Sequence, residues 1–157
     1  MRQTENIVVI GGGSWGAALA HQLRQNKELN CQILVRSAQT AADLARGHIR
    51  QLPAITDLPA FTVTDDAACL GEADFIYLVL PVSAHADSLK QIKAYASAAT
   101  PVVLCAKGLV SDGEKGGLFL PEFADAQLTG QPVAVLTGPS FADEVLSDLP
   151  TALLAAS

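Results

Sequence analysis

A chain of 157 residues, half of them hydrophobic and 17% charged, has the length of one domain and a composition far from that of a disordered segment. A net charge of -6 with no run of Lys and Arg excludes a surface built to neutralise nucleic-acid phosphates, although local amides and single cations can still hold an anionic ligand. Cys31, Cys69 and Cys105 are widely spaced and form no C-x-x-C pair, so neither a disulfide framework nor a zinc site is expected.

Residues 1–6 are polar and lead straight into an apolar run, without the basic stretch and apolar core of a secretory signal. No apolar stretch reaches the roughly 20 residues that span a bilayer. The expectation is a cytoplasmic protein with no membrane span.

In chain order, the first strand is expected at 7–10 and the first helix near Ser14, because Trp15, Ala18, Leu19 and Leu23 recur at helical spacing. Further strands are expected at 32–35, 61–64, 75–80, 102–106, 133–137 and 151–155, the run at 61–64 being short and preceded by a loop containing Pro53 and Pro59. The segment 111–130 carries Gly113, Gly116, Gly117 and Pro121 and reads as a loop with at most short helical turns. Most of the strands are apolar throughout, as strands buried on both faces are, and the segments between them are long enough for crossover helices. The fold expected is α/β, a doubly wound, mostly parallel sheet flanked by helices, with residues 1–157 as a single domain. The last strand ends near Ser157 with nothing after it, which reads as a chain cut at the edge of a domain.

Directly after Ile7-Val8-Val9-Ile10 comes Gly11-Gly12-Gly13-Ser14-Trp15-Gly16, a G-x-G-x-x-G pattern with Gly11, Gly13 and Gly16 at its key positions. The first glycine of this pattern makes a tight strand-to-helix turn, the second lets backbone approach a pyrophosphate, and the third allows close helix packing. The context of strand, loop and helix makes this a Rossmann-type dinucleotide site, with the helix N-terminus presenting amides to the phosphates. About 20 residues on, an acidic residue usually accepts hydrogen bonds from the adenosine ribose. Arg36 stands there instead and could pair with a 2′-phosphate, so NADP(H) is expected to bind at least as well as NAD(H).

The segment Gly13-Ser14-Trp15-Gly16-Ala17-Ala18-Leu19-Ala20 resembles the glycine loop of bacterial NAD(P)-dependent glycerol-3-phosphate dehydrogenases. Ala106-Lys107-Gly108-Leu109 is similar to their lysine motif, and Gly138-Pro139-Ser140-Phe141-Ala142-Asp143-Glu144-Val145 to their G-P-S-F-A-x-E-V signature. Leu80-Pro81 and Leu149-Pro150-Thr151-Ala152 extend the likeness over nearly the whole chain. Departures occur at Gly12, Val82, Val110, Asp148 and the loop at Leu52-Pro53.

The resemblance implies reversible hydride transfer between NAD(P)H and dihydroxyacetone phosphate to give sn-glycerol 3-phosphate, a precursor of glycerophospholipids. It implies cofactor contacts at Ser14, Trp15, Arg36, Lys107 and Ala142, beside the glycines Gly11, Gly13 and Gly16. It implies substrate contacts at Lys107, Gly138 and Ser140. It further implies a second, helical domain that carries the general acid or base lysine, so no catalytic residue is expected in this chain, and it leaves room for a homodimer in the complete enzyme. His21, His48 and His85 have no metal spacing and are expected to be structural or solvent-facing. Another two-domain dehydrogenase, acting on a β-hydroxyacid or a sugar nucleotide, and a non-catalytic dinucleotide-binding module are the alternatives.

Overall fold

The computed structural model describes residues 4–111 and 116–157. Among these residues nine strands follow one another: β1 (Glu5–Ile10), β2 (Leu29–Leu34), β3 (Val63–Thr64), β4 (Phe75–Leu78), β5 (Val102–Leu104), β6 (Leu109–Ser111), β7 (Gly117–Phe119), β8 (Val133–Thr137) and β9 (Leu154–Ala156). The helices are α1 (Ser14–Leu23), α2 (Ala38–Leu44), α3 (His85–Tyr95), α4 (Leu120–Gln127) and α5 (Ala142–Leu146). Seven strands form one sheet in the order β3-β2-β1-β4-β5-β8-β9, parallel except for β9, which runs antiparallel to β8.

Alternation along β1 sends Ile7 and Val9 into one core and Val8 and Ile10 into another. On the first side Ala17, Ala18 and Ala20 of α1, Leu44 of α2 and Val145 and Leu146 of α5 cover the sheet. On the second side the cover comes from Leu89 and Ile92 of α3 and Leu120, Ala124 and Leu128 in and after α4. Helices on both faces of a mainly parallel sheet make the expected doubly wound fold. Ile76 of β4 is fully buried between them, and truncating such a residue to Ala costs about 2–5 kcal/mol.

The segment 111–130 is a correction to the sequence reading: its described residues hold strand β7 and helix α4 rather than loop. Gly113 lies outside the described residues. Gly117 pairs with Ser111 in an antiparallel hairpin of β6 and β7, and Pro121 occupies the first turn of α4, where a missing N–H costs nothing. Leu120, Ala124 and Leu128 then fall four apart on the buried face. Gly and Pro are start signals here, not breakers.

Smaller differences concern strand ends. The run at 61–64 yields strand only at Val63–Thr64, since Phe61 is buried beneath the Arg24 guanidinium, 4.3 Å from its ring centre. The expectation of strands buried on both faces holds for β1 and β5, whereas β8 is half-buried and β9 exposed. The helix after β8, α5, packs on α1.

Candidate dinucleotide and substrate site

β1 lies between β2 and β4, so the strand order reverses at its C-terminal end, where ligands bind in open α/β sheets. The turn from Ile10 to Ser14 sits at that end. Gly11 has φ +120°, and a Cβ there would collide with the carbonyl oxygen of Val79; its N–H donates to Leu34 O at 3.0 Å. A Cβ on Gly16 would collide with the Gly11 carbonyl oxygen. At Gly13, by contrast, a Cβ would meet nothing within 4 Å.

The outer glycines are therefore required by packing, and the middle one keeps the approach to the backbone clear. Gly12, treated in the sequence as a variation, is tightly enclosed: its Cβ would lie 2.7 Å from Val35 Cγ1 and 2.8 Å from Leu44 Cδ1, so these side chains would have to shift. α1 begins at Ser14 with no side-chain cap and no acidic residue in its first turn. Its leading amides and positive dipole end are thus left for an anion.

A cavity of about 290 Å³ opens beside this turn. It is lined by the glycine turn Gly11-Gly12-Gly13, by Leu34 to Ser37 at and after the end of β2, by Leu80, Ser88 and Gln91, and by Thr40, Gln51 and Asp65. Arg36 is exposed and makes no ion pair or hydrogen bond among the described residues. Ser37 accepts a hydrogen bond from Thr40 N at 3.2 Å and caps α2, which fixes the chain just after Arg36.

A second cavity of about 310 Å³ lies at the ends of β5 and β8. Lys107, Gly138 and Ser140 meet there with Trp15, Cys105, Leu136, Thr137 and Leu153. Gly13 lines the first cavity and Trp15, two residues on, lines the second. Burial pushes the Cys105 thiol up to about 12, so it is a neutral wall rather than a nucleophile. Ser14 opens α1 without lining either cavity. Ala142, at the start of α5, packs with Trp15 against the core under α1.

The three histidines stand apart from both cavities. His21 and His85 are buried, and His48 is exposed at a small neighbouring hollow. No group of three or more His, Cys, Asp or Glu that could hold a metal occurs among the described residues.

The family model described as NAD-dependent glycerol-3-phosphate dehydrogenase N-terminus matches residues 6–157. The chain belongs to that glycerol-3-phosphate dehydrogenase family. A relative from Beijerinckia indica named glycerol-3-phosphate dehydrogenase, NAD(P)+, is 36% identical over 100% of this chain and 47% of its own length. One of the same name from Mesorhizobium japonicum is 38% identical over 96% of this chain and 43% of its own. The chain thus spans about half the length of the curated relatives it matches.

Among solved structures, glycerol-3-phosphate dehydrogenase of Coxiella burnetii matches with a TM-score of 0.77 and 27% identity, over 96% of this chain and 46% of that one. The Saccharomyces cerevisiae enzyme, at 20% identity and a TM-score of 0.79 over 98% of this chain and 47% of its own, shares the fold.

Within this glycerol-3-phosphate dehydrogenase N-terminal fold, the cavity residues that sequence reasoning missed are Thr40, Gln51, Asp65, Ser88, Gln91, Cys105, Thr137 and Leu153. Thr137 had a signal, since it ends an expected strand beside its neighbour Gly138. Asp65 had one too, at the end of the run at 61–64. The others lie on helices or loops whose approach to the turn depends on the packing of the whole sheet.

Proposed function

We propose that this chain is the cofactor-binding portion of an NAD(P)-dependent glycerol-3-phosphate dehydrogenase, interconverting dihydroxyacetone phosphate and sn-glycerol 3-phosphate. The observation that supports it most is that the glycine turn and the helix it opens contribute Gly13 to one cavity, with Arg36, and Trp15 to another, with Lys107, Gly138 and Ser140. A dinucleotide has two ends to seat, and the turn offers open backbone at Gly13. The residues present fit that group: Gly11, Gly13 and the start of α1 hold the pyrophosphate, Arg36 the adenosine end, and Trp15 flanks the other end.

When bound, the nicotinamide supplies or accepts the hydride at the central carbon of the substrate. The chain's own residues hold and orient. Lys107, exposed at the rim, pairs its ammonium with the anionic substrate and stabilises negative charge on the carbonyl oxygen. The Gly138 amide and the Ser140 hydroxyl donate further hydrogen bonds, and Leu136 and Leu153 keep water from that side. The proton-transfer lysine that the resemblance implies is assigned to the part of the relatives' length that this chain does not span.

Residues 1–157 act as one domain in this reading, since both cores share a single sheet. The complete protein is read as cytoplasmic and as a homodimer without a nucleic-acid partner. No helix among the described residues is long and apolar enough to cross a membrane.

The test is turnover of dihydroxyacetone phosphate by the complete protein, followed by cofactor absorbance, with Lys107→Ala beside it. The expected result is turnover that falls by at least a hundredfold in the variant while its melting temperature holds, a loss typical of removing one charge-stabilising group. Near-normal turnover in Lys107→Ala, or no turnover of this substrate by the parent, contradicts the proposal.

A further inference from the structure

The cavity beside Arg36 also contains a carboxylate, which a polyanionic ligand would ordinarily repel. Asp65 follows β3 directly, and β3 pairs with β2 through Leu34 and Thr64, so Asp65 stands one strand outward from Arg36. Nearby acidic side chains have evident structural work: Asp66 accepts from Ala68 N at 2.9 Å, and Asp43 pairs with Arg46 and Arg50 at 2.8 and 2.7 Å. Asp65 is exposed and makes no hydrogen bond or ion pair among the described residues. Its carboxylate is unspent by the fold.

The strand order supplies a ruler. The glycine turn follows β1, Arg36 follows β2 and Asp65 follows β3, three adjacent strands spaced about 4.8 Å apart. A dinucleotide with its pyrophosphate on the turn and its adenosine running outward meets Arg36 with the ribose and Asp65 with the base. Val35, just after β2, and Leu80, after β4, line the same cavity and give it apolar wall. The one strong donor on the outer edge of adenine is its exocyclic amine, and a carboxylate can only accept.

We propose that the Asp65 carboxylate accepts a hydrogen bond from the adenine exocyclic amine and makes this site selective for adenine over bases that carry a carbonyl oxygen there. This rests on the dinucleotide reading above. In hypoxanthine a carbonyl oxygen replaces the amine and the donor moves to ring N1, so a carboxylate aligned on the amine faces an acceptor and loses its hydrogen bond. A site built to bond a donor discriminates against the analogue that lacks it. Because Asp65 is open to water, the expected discrimination is about tenfold rather than thousands.

The test is equilibrium titration of the 157-residue chain with NADH and with reduced nicotinamide hypoxanthine dinucleotide, read by nicotinamide fluorescence. The parent is expected to bind NADH about tenfold more tightly. Asp65→Ala is expected to bring the two within about twofold, chiefly by weakening NADH. Asp65→Asn, whose amide can donate to the hypoxanthine oxygen, is expected to improve binding of the hypoxanthine form, a rescue that a merely structural aspartate would not produce. Equal affinities in the parent, or a preference that survives in Asp65→Ala, overturns the proposal while leaving the dinucleotide reading intact. Failure of the parent to bind either compound overturns both.

Discussion

The side-chain amide of Gln22, on α1, donates to the Asp148 carboxylate at 3.0 Å and to the Val145 carbonyl at 2.8 Å. Gln25, a turn later, donates to the same Asp148 oxygen at 3.1 Å. These bonds fasten the end of α5 to the helix that carries the glycine turn. The hydrogen bonds from Gln22 and then Gln25 hold the Asp148 carboxyl below the usual carboxylate range.

Asp148 has φ +56°, with its N–H on Val145 O and the Leu149 N–H on Glu144 O, the pairing that ends a helix with a left-handed residue. The sequence departs from the resemblance at this position, and its left-handed backbone is one that glycine adopts without strain. Asp148→Ala keeps the backbone strain and loses the hydrogen bonds, whereas Asp148→Gly loses the bonds but removes the strain. Thermal melts are expected to rank the parent above Asp148→Gly and Asp148→Gly above Asp148→Ala. An alanine variant as stable as the glycine variant contradicts this.

His85 is fully buried, its Nδ1 donates to Pro81 O at 3.1 Å, and its Nε2 has no partner among the described residues. Burial lowers its tendency to protonate below the ordinary imidazole value of 6.5, as it does for His21. The unfolded chain therefore takes up protons before the folded chain, and stability present above pH 6.5 is lost as pH falls through the folded-state values. Melting temperature is expected to be flat from pH 7 to 8 and to decline below about 6.5. In His85→Gln the acid-side slope becomes shallower although overall stability is lower; an unchanged slope contradicts the assignment.

With its thiol pushed up to about 12 from an ordinary 9.0, Cys105 carries roughly a thousandfold less thiolate than a free cysteine at neutral pH. Alkylation of the folded chain by iodoacetamide, followed by peptide mass analysis, is expected to leave Cys105 unmodified long after a model thiol has reacted. Rapid modification of Cys105 contradicts the burial argument.

Arg36 lies just after β2 and has no hydrogen bond or ion pair among the described residues, so its removal perturbs ligand more than fold. Arg36→Ala is expected to weaken NADPH by about tenfold or more, as the loss of a charge-assisted contact to a phosphate would, and NADH by much less. A parent that clearly prefers NADH, with a preference unchanged in the variant, contradicts the role given to Arg36.

Much of this was legible because the relevant physics is local. A four-residue apolar strand, three spaced glycines and a helical alanine run specify a strand-turn-helix unit wherever they occur, and Lys107, Gly138 and Ser140 follow strands that end on the same edge. What the sequence concealed depends on tertiary placement. Leu120, Ala124 and Leu128 carry a helical period, but the dense Gly and Pro before them hide it, since Pro121 means a break inside a helix and a start in its first turn. The antiparallel turn of β9 leaves no trace in its apolar composition. Asp148 looks like a mere departure until its φ is known, and Asp65 joins Arg36 only because β3 pairs with β2.

The measurement that bears most directly on the central claim is titration of this chain with NADH and NADPH, beside Gly13→Ala. A Cβ at Gly13 meets nothing in the fold, and the residue has an ordinary backbone with φ −76°. The substitution is therefore expected to change stability by no more than about 0.5 kcal/mol. It would nonetheless stand where the pyrophosphate must approach, and binding of both cofactors is expected to fall by at least about tenfold from the parent. No binding by the folded parent, or full binding by Gly13→Ala, would contradict the account.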